Sequence, residues 1–329
     1  MYLLSRKWFT FFYFLLSENI MFKNYLQKFI KVDEIHTVAY REYGNPDGIP
    51  VLMLHGGPGG KINFRILELI DLTFYRVFTI DQRGCGLSTP KGELRANTLL
   101  HLISDMEAIR QKEKLGKCII FGRSWGTVLG LMYALSYPQN CLHLILRGIF
   151  LGRNTDELWT FEQSRIRFPQ QWAEFSDGLT SSRPLNEQFY EKIFSKNEKT
   201  ALFYSAKMTH YFNILATNKT DIPLEAETQE NLTANKIFLH YSTHHYFFED
   251  IFWEQHLAEL DANNIHGVIL HGGKDSDCLP EQAYYLHNKW KKSTLIIEPN
   301  VSHCDNQIEI RKQIHNIFAT LKLYFSHNK

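Results

Sequence analysis

The chain has 329 residues, of which 44% are hydrophobic and 14% aromatic, and its formal net charge at pH 7 is +1. This length suits one large globular domain, or a core domain with an insertion. Because no basic or acidic block stands out, the charge pattern argues against nucleic acid, a polyanion or a charged membrane surface as the main partner.

The first 32 residues are expected to form an N-terminal extension. A basic start leads into an apolar stretch from Trp8 to Leu16, which is too short to span a bilayer. The stretch resembles the apolar centre of a signal peptide, but no small-residue cleavage site follows it. We expect residues 1–32 to be a disordered or loosely packed extension, with residues 1–20 upstream of a true start at Met21; a secretory or membrane-tethering segment is the alternative.

Short apolar runs alternate with amphipathic segments over residues 33–150, which we assign to the first part of an α/β core. Period-two alternation predicts a strand at His36–Asn45, and helical spacing with one apolar face predicts a helix at Leu99–Leu115. Strands and helices in alternation favour a parallel sheet. The other predicted elements are strands at Pro50–Gly57, Tyr75–Gly84, Cys118–Gly122 and Leu142–Phe150, and a helix at Gly126–Tyr137.

This alternation stops over residues 151–260. The segment has helical spacing, no clear strand and many aromatic side chains, which predicts a helical cap inserted into the core. Strand-like runs resume at His266–Gly273 and Ser293–Asn300, and a last amphipathic helix is predicted at Ile308–Leu323. Residues 261–329 are therefore expected to form the second part of the α/β core.

A serine lies between two glycines where a buried strand is predicted to give way to a helix. Gly122 and Gly126 stand two residues before and two residues after Ser124. A sharp turn there would raise the serine above the sheet edge, and bulky residues at the two glycine positions would collide. The serine would also lie at a helix N-terminus, where backbone N–H groups stabilise a developing oxyanion. The pattern predicts a nucleophile; a simple helix cap is the alternative.

A serine nucleophile needs a base, and the base needs an acid that fixes its tautomer. On such sheets the chain order is serine, acid, histidine, and ligands collect at the carboxyl ends of the strands. Asp275 follows one late predicted strand and His303 follows the next. We therefore predict the triad Ser124, Asp275 and His303. Asp277 is the rival acid, and Asp275 is preferred because it lies nearer to the strand end.

The glycine-rich sequence HGGPGG follows the second predicted strand. Small residues let the backbone approach a reacting carbonyl, so the N–H groups of Gly57 and Trp125 are predicted to form an oxyanion hole; an ordinary Gly-Pro turn is the alternative. Serine rather than aspartate at the nucleophile position disfavours dehalogenase and epoxide-hydrolase chemistry. No dinucleotide-binding or Walker sequence occurs, so no cofactor is expected.

The cysteines and histidines argue against a metal site. Five cysteines are widely spaced without a CxxC pair, which favours a reducing compartment, and we expect a cytoplasmic protein. His240, His244 and His245 form a cluster, but no cysteine or carboxylate spacing accompanies them, so packing is expected rather than metal binding. The aromatic residues of the cap are expected mainly to form its core, with a few lining an apolar pocket over Ser124.

Several stretches together resemble the proline iminopeptidases, α/β hydrolases that remove an N-terminal proline. They are YGNPDGIPVLMLHGGPGG, RVFTIDQRGCGLS, FGRSWGTVLGLMYALSYP and LILRGIF, with VILHGGKDSDCLPEQA and VSHC later in the chain. The resemblance implies an α/β-hydrolase fold: a mostly parallel sheet with helices on both faces and an inserted helical cap. It also implies Ser124, Asp275 and His303 as the triad and Gly57 and Trp125 as the oxyanion donors.

The chain departs from the family pattern at positions that bear on specificity. Arg123 replaces the second glycine of the family's Gly-Gly-Ser-Trp-Gly sequence. Gly-Lys-Asp, at positions 273–275, stands where the family has Arg-Tyr-Asp. Thr243 stands where the family has the acid that recognises the substrate's amine, and the family's Trp-Trp-Glu pattern is eroded around Lys207–Asn213. A cationic amine in a partly dry pocket needs a carboxylate or an aromatic face. Glu249 and Asp250 are predicted substitutes if they turn inward; solvated surface acids are the alternative.

The resemblance implies a serine aminopeptidase that releases N-terminal proline, or another small residue, from short peptides. A carboxylesterase or amidase with the same triad and no need for a free amine is the alternative. A third hypothesis is a non-catalytic binding protein on a hydrolase scaffold. The complete predicted triad disfavours this hypothesis. Neither nucleic acid nor a stable membrane span is expected.

Overall fold

The computed structural model describes residues 25–180, 182–304 and 306–327. It is built on an eight-stranded sheet with the strand order β1-β2-β4-β3-β5-β6-β7-β8. Strands β3 to β8 are parallel, and β1 and β2 add antiparallel pairs at one edge. The strands are β1 (Tyr25–Lys31), β2 (Thr37–Gly44), β3 (Ile49–Leu54), β4 (Tyr75–Asp81), β5 (Cys118–Ser124), β6 (Cys141–Ile149), β7 (Gly267–Gly272) and β8 (Ser293–Glu298).

The central strands are apolar on both faces, which explains their continuous rather than alternating sequences. In β5, Ile120 packs into the core on one side of the sheet, whereas Ile119 and Phe121 pack into the core on the other. Helices cover both of these faces. The prediction of a mostly parallel α/β sheet between helical layers is confirmed.

The presence of strand β1 corrects part of the predicted N-terminal extension. Residues 25–31 belong to the segment that was expected to be disordered, yet they pair antiparallel with β2 along their whole length. Ile30 packs against the core, and Lys28 forms ion pairs with Glu42 and Glu113. A partly exposed edge strand lacks a continuous apolar run, so its sequence signal is weak. The apolar stretch from Trp8 to Leu16 lies outside the described residues.

Helices flank the sheet on both faces and also form the layer above its carboxyl edge. The core helices are α1 (Leu99–Lys112), α2 (Trp125–Ser136), α10 (Pro280–Lys289) and α11 (Ile308–His327). Helices α1, α2 and α10 share one hydrophobic core with the sheet, and α11 packs on the opposite face. The intervening helices are α3 (Asn154–Phe161), α4 (Pro169–Ser176), α5 (Leu185–Ile193), α6 (Glu198–Thr217), α7 (Gln229–Ser242), α8 (Phe252–His256) and α9 (Ala258–Ala262).

The helices between β6 and β7 have a core of their own, rich in aromatic rings. The ring of Phe175 stacks on Phe189 at 4.5 Å and on Tyr211 at 4.3 Å between centroids. Between Phe150 and His266 the described residues form only helices, turns and loops, in the range predicted for the cap. Within the part of the chain that the structure describes, no helix is both long and apolar enough to cross a membrane.

Candidate active site

Ser124 ends β5 and immediately precedes α2, in a strained turn. Its φ of 53° and ψ of −124° lie outside the usual regions for a non-glycine residue. A Cβ on Gly122 would stand 2.2 Å from the carbonyl oxygen of Gly126, and one on Gly126 would stand 2.5 Å from that of Leu54. Both distances exclude any side chain, so the two glycines allow the turn that presents Ser124 at the sheet edge.

Asp275 and His303 form a direct pair on the loops that follow β7 and β8. We call these two loops the acid loop and the histidine loop. His303 Nδ1 lies 2.7 Å from Asp275 Oδ2. The other carboxylate oxygen accepts the backbone N–H groups of Asp277 and Cys278 at 3.0 and 2.9 Å. Burial alone would favour the neutral acid, but the interaction with His303 lowers the pKa of Asp275 below its usual value. The ionised carboxylate then keeps the proton of His303 on Nδ1 and leaves Nε2 as the acceptor.

Neighbouring elements fix the position of this pair. The backbone N–H of His303 donates to the carbonyl of Ala216 in α6 at 3.1 Å, which ties the histidine loop to the cap. Gly148 has a φ of 60° and leaves room for the imidazole, because a Cβ there would lie 2.9 Å from Cε1. His271 is fully buried, and its Nε2 lies 2.9 Å from the carbonyl of Cys278. Gly148 and His271 were not among the site residues predicted from the sequence.

The predicted nucleophile and the predicted base are not hydrogen-bonded to each other. Within the described residues, the Ser124 hydroxyl forms no hydrogen bond with His303; the Nε2 atom lies 3.5 Å from Asp277 Oδ2 instead. Burial raises the pKa of Asp277, which favours its neutral form. Catalytic hydrogen bonds are often long in unliganded enzymes and shorten in the complex. Asp277, the alternative acid predicted from the sequence, thus lies beside His303. It contacts the opposite ring nitrogen from Asp275.

The glycine-rich loop after β3 lies against Ser124. A Cβ on Gly56 would stand 3.0 Å from the Cβ of Ser124. Gln82 connects this loop with the start of α2, because its Nε2 donates to the carbonyl of His55 and its Oε1 accepts the indole N–H of Trp125, at 2.9 and 3.0 Å. The Gly57 N–H has no acceptor among the described residues. Trp125 begins α2, where the first N–H groups have no partner within the helix.

Comparison with known proteins identifies the family. Residues 49–307 match the α/β hydrolase fold family. The chain is 32% identical over 286 residues to a probable proline iminopeptidase of Leptolyngbya boryana, with 85% of this chain and 88% of the relative covered. It is 34% identical over 288 residues to the proline iminopeptidase of Xanthomonas citri, with 85% and 91% covered. The chain belongs to the proline iminopeptidase family.

Solved structures agree on the fold. The proline iminopeptidase of Mycobacterium smegmatis aligns with a TM-score of 0.60 at 17% identity, covering 91% of this chain and 99% of that one. An esterase from Exiguobacterium antarcticum aligns with a TM-score of 0.62 at 21% identity, covering 90% and 99%. At these identities the similarity concerns the fold alone and does not identify the residues that bind the substrate.

The substrate-binding residues predicted from the sequence do not form an acidic site. Thr243 ends α7 and its hydroxyl donates to the carbonyl of Leu239 at 2.7 Å. Glu249 and Asp250 are both exposed, and Asp250 accepts the backbone N–H of Asn154 at 2.7 Å, where it helps to begin α3. The positions of both acids therefore agree with the alternative of solvated surface acids. A contact between distant segments explains Asp250, since capping a helix that begins 96 residues earlier keeps it at the surface.

The cap also contains a partly buried acid that was not predicted from the sequence. Glu157, in the first turn of α3, accepts a hydrogen bond from the hydroxyl of Ser242. Withdrawal of this carboxyl group from water raises its pKa to about 7. Nothing in the spacing of α3 distinguishes Glu157 from an ordinary acid in a first helical turn. Its environment depends on α7 and the loop after it, which pack against α3 only in the folded cap.

Three titratable groups near Ser124 lie close enough together to hold a metal ion. Ligand atoms of Asp277, Cys278 and His303 lie within 4.8 Å of one another. However, burial raises the pKa of the Cys278 thiol well above its usual value, and metals bind the thiolate. His240 contacts the carbonyl of Asn97 at 3.0 Å and stands among aromatic rings. His244 also stacks on the ring of Phe247, with centroids 5.3 Å apart.

Proposed function

We propose that this protein is a serine aminopeptidase that releases N-terminal proline from short peptides through an acyl-enzyme intermediate. The observation that carries the proposal is the strained Ser124 beside the glycine-rich loop, in a chain of the proline iminopeptidase family. The pairing of Asp275 with His303 supplies the base that such a serine requires. All five cysteines are outside disulfides, which supports a reducing compartment such as the cytoplasm.

In the proposed mechanism, His303 Nε2 accepts the proton of Ser124 as the hydroxyl oxygen attacks the scissile carbonyl carbon. The N–H groups of Gly57 and Trp125 stabilise the resulting oxyanion. Collapse of the tetrahedral intermediate breaks the C–N bond, and His303 donates its proton to the leaving amine. A water molecule then repeats the sequence on the ester and releases proline. Asp275 stays ionised and holds the imidazole in one tautomer throughout.

Ester and amide hydrolysis by the same triad is the competing function. The observation that favours it is the absence of an acid at position 243, since an esterase has no amine to bind. A kinetic panel of proline, alanine and leucine arylamides beside an acyl ester separates the two functions. We expect the highest kcat/KM among the arylamides for proline. Hydrolysis of the ester with no detectable cleavage of any free-amine arylamide would contradict the aminopeptidase proposal.

A further inference from the structure

The proposed substrate places a positive charge close to Ser124. An N-terminal proline is protonated below the pKa of its amine, and its nitrogen is separated from the scissile carbonyl carbon by a single carbon. A charge held in a partly dry pocket requires an ionised partner or several hydrogen bonds. Thr243 has no charge, and Glu249 and Asp250 are exposed to solvent. Another group near Ser124 must therefore meet the charge.

Helix α3 offers two acids whose partners differ. Asp156 accepts hydrogen bonds from the backbone N–H and the guanidinium group of Arg153, so its charge is already paired. Glu157 has no lysine, arginine or histidine within 4.0 Å among the described residues. Its Oε1 accepts the Ser242 hydroxyl, which itself accepts a hydrogen bond from the side-chain amide of Asn186.

The surroundings of Glu157 connect it with Ser124. The hydroxyl of Tyr246 lies beside the Glu157 carboxylate and interacts with it. The ring of Tyr246 packs against Trp125, the residue after the nucleophile, with centroids 5.7 Å apart. Helix α3 also contacts the acid loop, because the indole N–H of Trp159 donates to the carbonyl of Ser276 at 2.9 Å. Glu157 therefore faces the part of the cap that lies over the catalytic residues.

We infer that Glu157 is the carboxylate that binds the protonated amine of the substrate's first residue. This inference rests on the proposed function, since an enzyme for neutral esters would not need it. The carboxylate, which has no basic partner among the described residues, would accept the ammonium N–H, while Ser242 and Tyr246 fix the orientation of the side chain. A bound cation would also compensate for the unfavourable burial of this charge. Glu157 thus sets specificity and takes no part in bond making or breaking.

The test compares two substrates that differ in the amine. Proline 4-nitroanilide has the ring nitrogen, and the 4-nitrophenyl ester of cyclopentanecarboxylic acid has the same ring without it. We expect Glu157→Gln to lower kcat/KM for the anilide by about ten- to two-hundredfold, the range for a lost charge-assisted contact. The ester rate should stay within about twofold, which also shows that the variant is folded. Glu249→Gln, an exposed acid in the cap, is the matched control and should change neither rate.

A second variant separates recognition from folding. Glu157→Asp keeps the charge but shortens the side chain, so it should lose less anilide activity than Glu157→Gln. Equal loss of anilide and ester activity in both variants would mean that Glu157 is merely structural and would overturn the inference. An unchanged anilide rate in Glu157→Gln would overturn it too, while leaving the aminopeptidase proposal intact. If the wild type cleaves the ester and not the anilide, the proposed function fails and the inference fails with it.

Discussion

His303 contacts Asp275 and Asp277 through different nitrogens of its ring: Nδ1 lies 2.7 Å from Asp275 Oδ2, and Nε2 lies 3.5 Å from Asp277 Oδ2. The first contact holds the tautomer that base catalysis needs. The second occupies the side of the ring that must face Ser124. The two carboxylates are two residues apart in the chain, yet they contact opposite nitrogens of the imidazole ring.

Replacing each acid in turn should therefore give unequal results. Asp275→Asn is expected to lower kcat by about 10⁴-fold, because the amide no longer stabilises the required tautomer and the imidazolium. Asp277→Asn should stay within about tenfold of the wild type, because Asp277 supports no catalytic step. Steady-state rates on proline 4-nitroanilide measure both effects. A larger loss in Asp277→Asn than in Asp275→Asn would mean that the acid has been misassigned.

Gly148 should be essential for the position of His303. A methyl group there would stand 2.9 Å from Cε1 and 3.2 Å from Nδ1, and the φ of 60° is strained for alanine. We expect Gly148→Ala to lower kcat on the order of 10²-fold by displacing the imidazole, and to lower the unfolding free energy by about 1–2 kcal/mol. Gly116→Ala is the matched control, because nothing lies within 4 Å of its Cβ position. Equal activity in the two variants would refute the steric argument.

Thiol reagents should react first at Cys304 and not at Cys278. Cys304 is half-exposed beside His303, whereas Cys278 is only 3% exposed and burial raises the pKa of its thiol. A bulky mercurial or maleimide is expected to inactivate the wild type, and Cys304→Ala should slow that inactivation by at least about tenfold. Cys278→Ala should leave the rate of inactivation nearly unchanged. The opposite ranking of the two variants would show that the acid loop opens more readily than the histidine loop.

The preference for a free amine should weaken in acid. Glu157 has a pKa of about 7, so it loses its charge as the pH falls from about 7.5 to 5.5, while the substrate amine stays protonated. The groups around it are Asp156, Ser242 and Tyr246, and none of them adds a compensating positive charge. The ratio of kcat/KM for proline 4-nitroanilide to that for the cyclopentane ester should fall over this range in the wild type. In Glu157→Gln the ratio should be nearly flat, and a parallel fall in both proteins would assign the pH effect to another group.

The sequence predicts the fold around Ser124 well because that part of the fold depends on local rules. Buried parallel strands are continuous apolar runs, and the turn at Ser124 requires glycine at 122 and 126. The acid and base follow strands whose ends meet at one edge of the sheet. Such constraints act over a few residues, so they are visible in the sequence, and the predicted fold class and family are both confirmed.

The cap and the edge of the sheet were predicted less well because they depend on contacts between distant segments. Glu157 is enclosed by Ser242, some 85 positions along the chain, and Asp250 is held at the surface by a backbone group of Asn154. Strand β1 is stabilised by pairing with β2, and the sequence of β1 alone does not predict that pairing. No spacing rule within one helix or strand reveals these pairings.

The central claim is that Ser124 is the nucleophile of an aminopeptidase acting on N-terminal proline. Its most direct test is the hydrolysis of proline 4-nitroanilide by Ser124→Ala, with the thermal unfolding midpoint measured on the same preparation. We predict a loss of kcat on the order of 10⁴- to 10⁶-fold in a protein that unfolds at nearly the wild-type temperature. Near-native hydrolysis by the folded variant would contradict the mechanism.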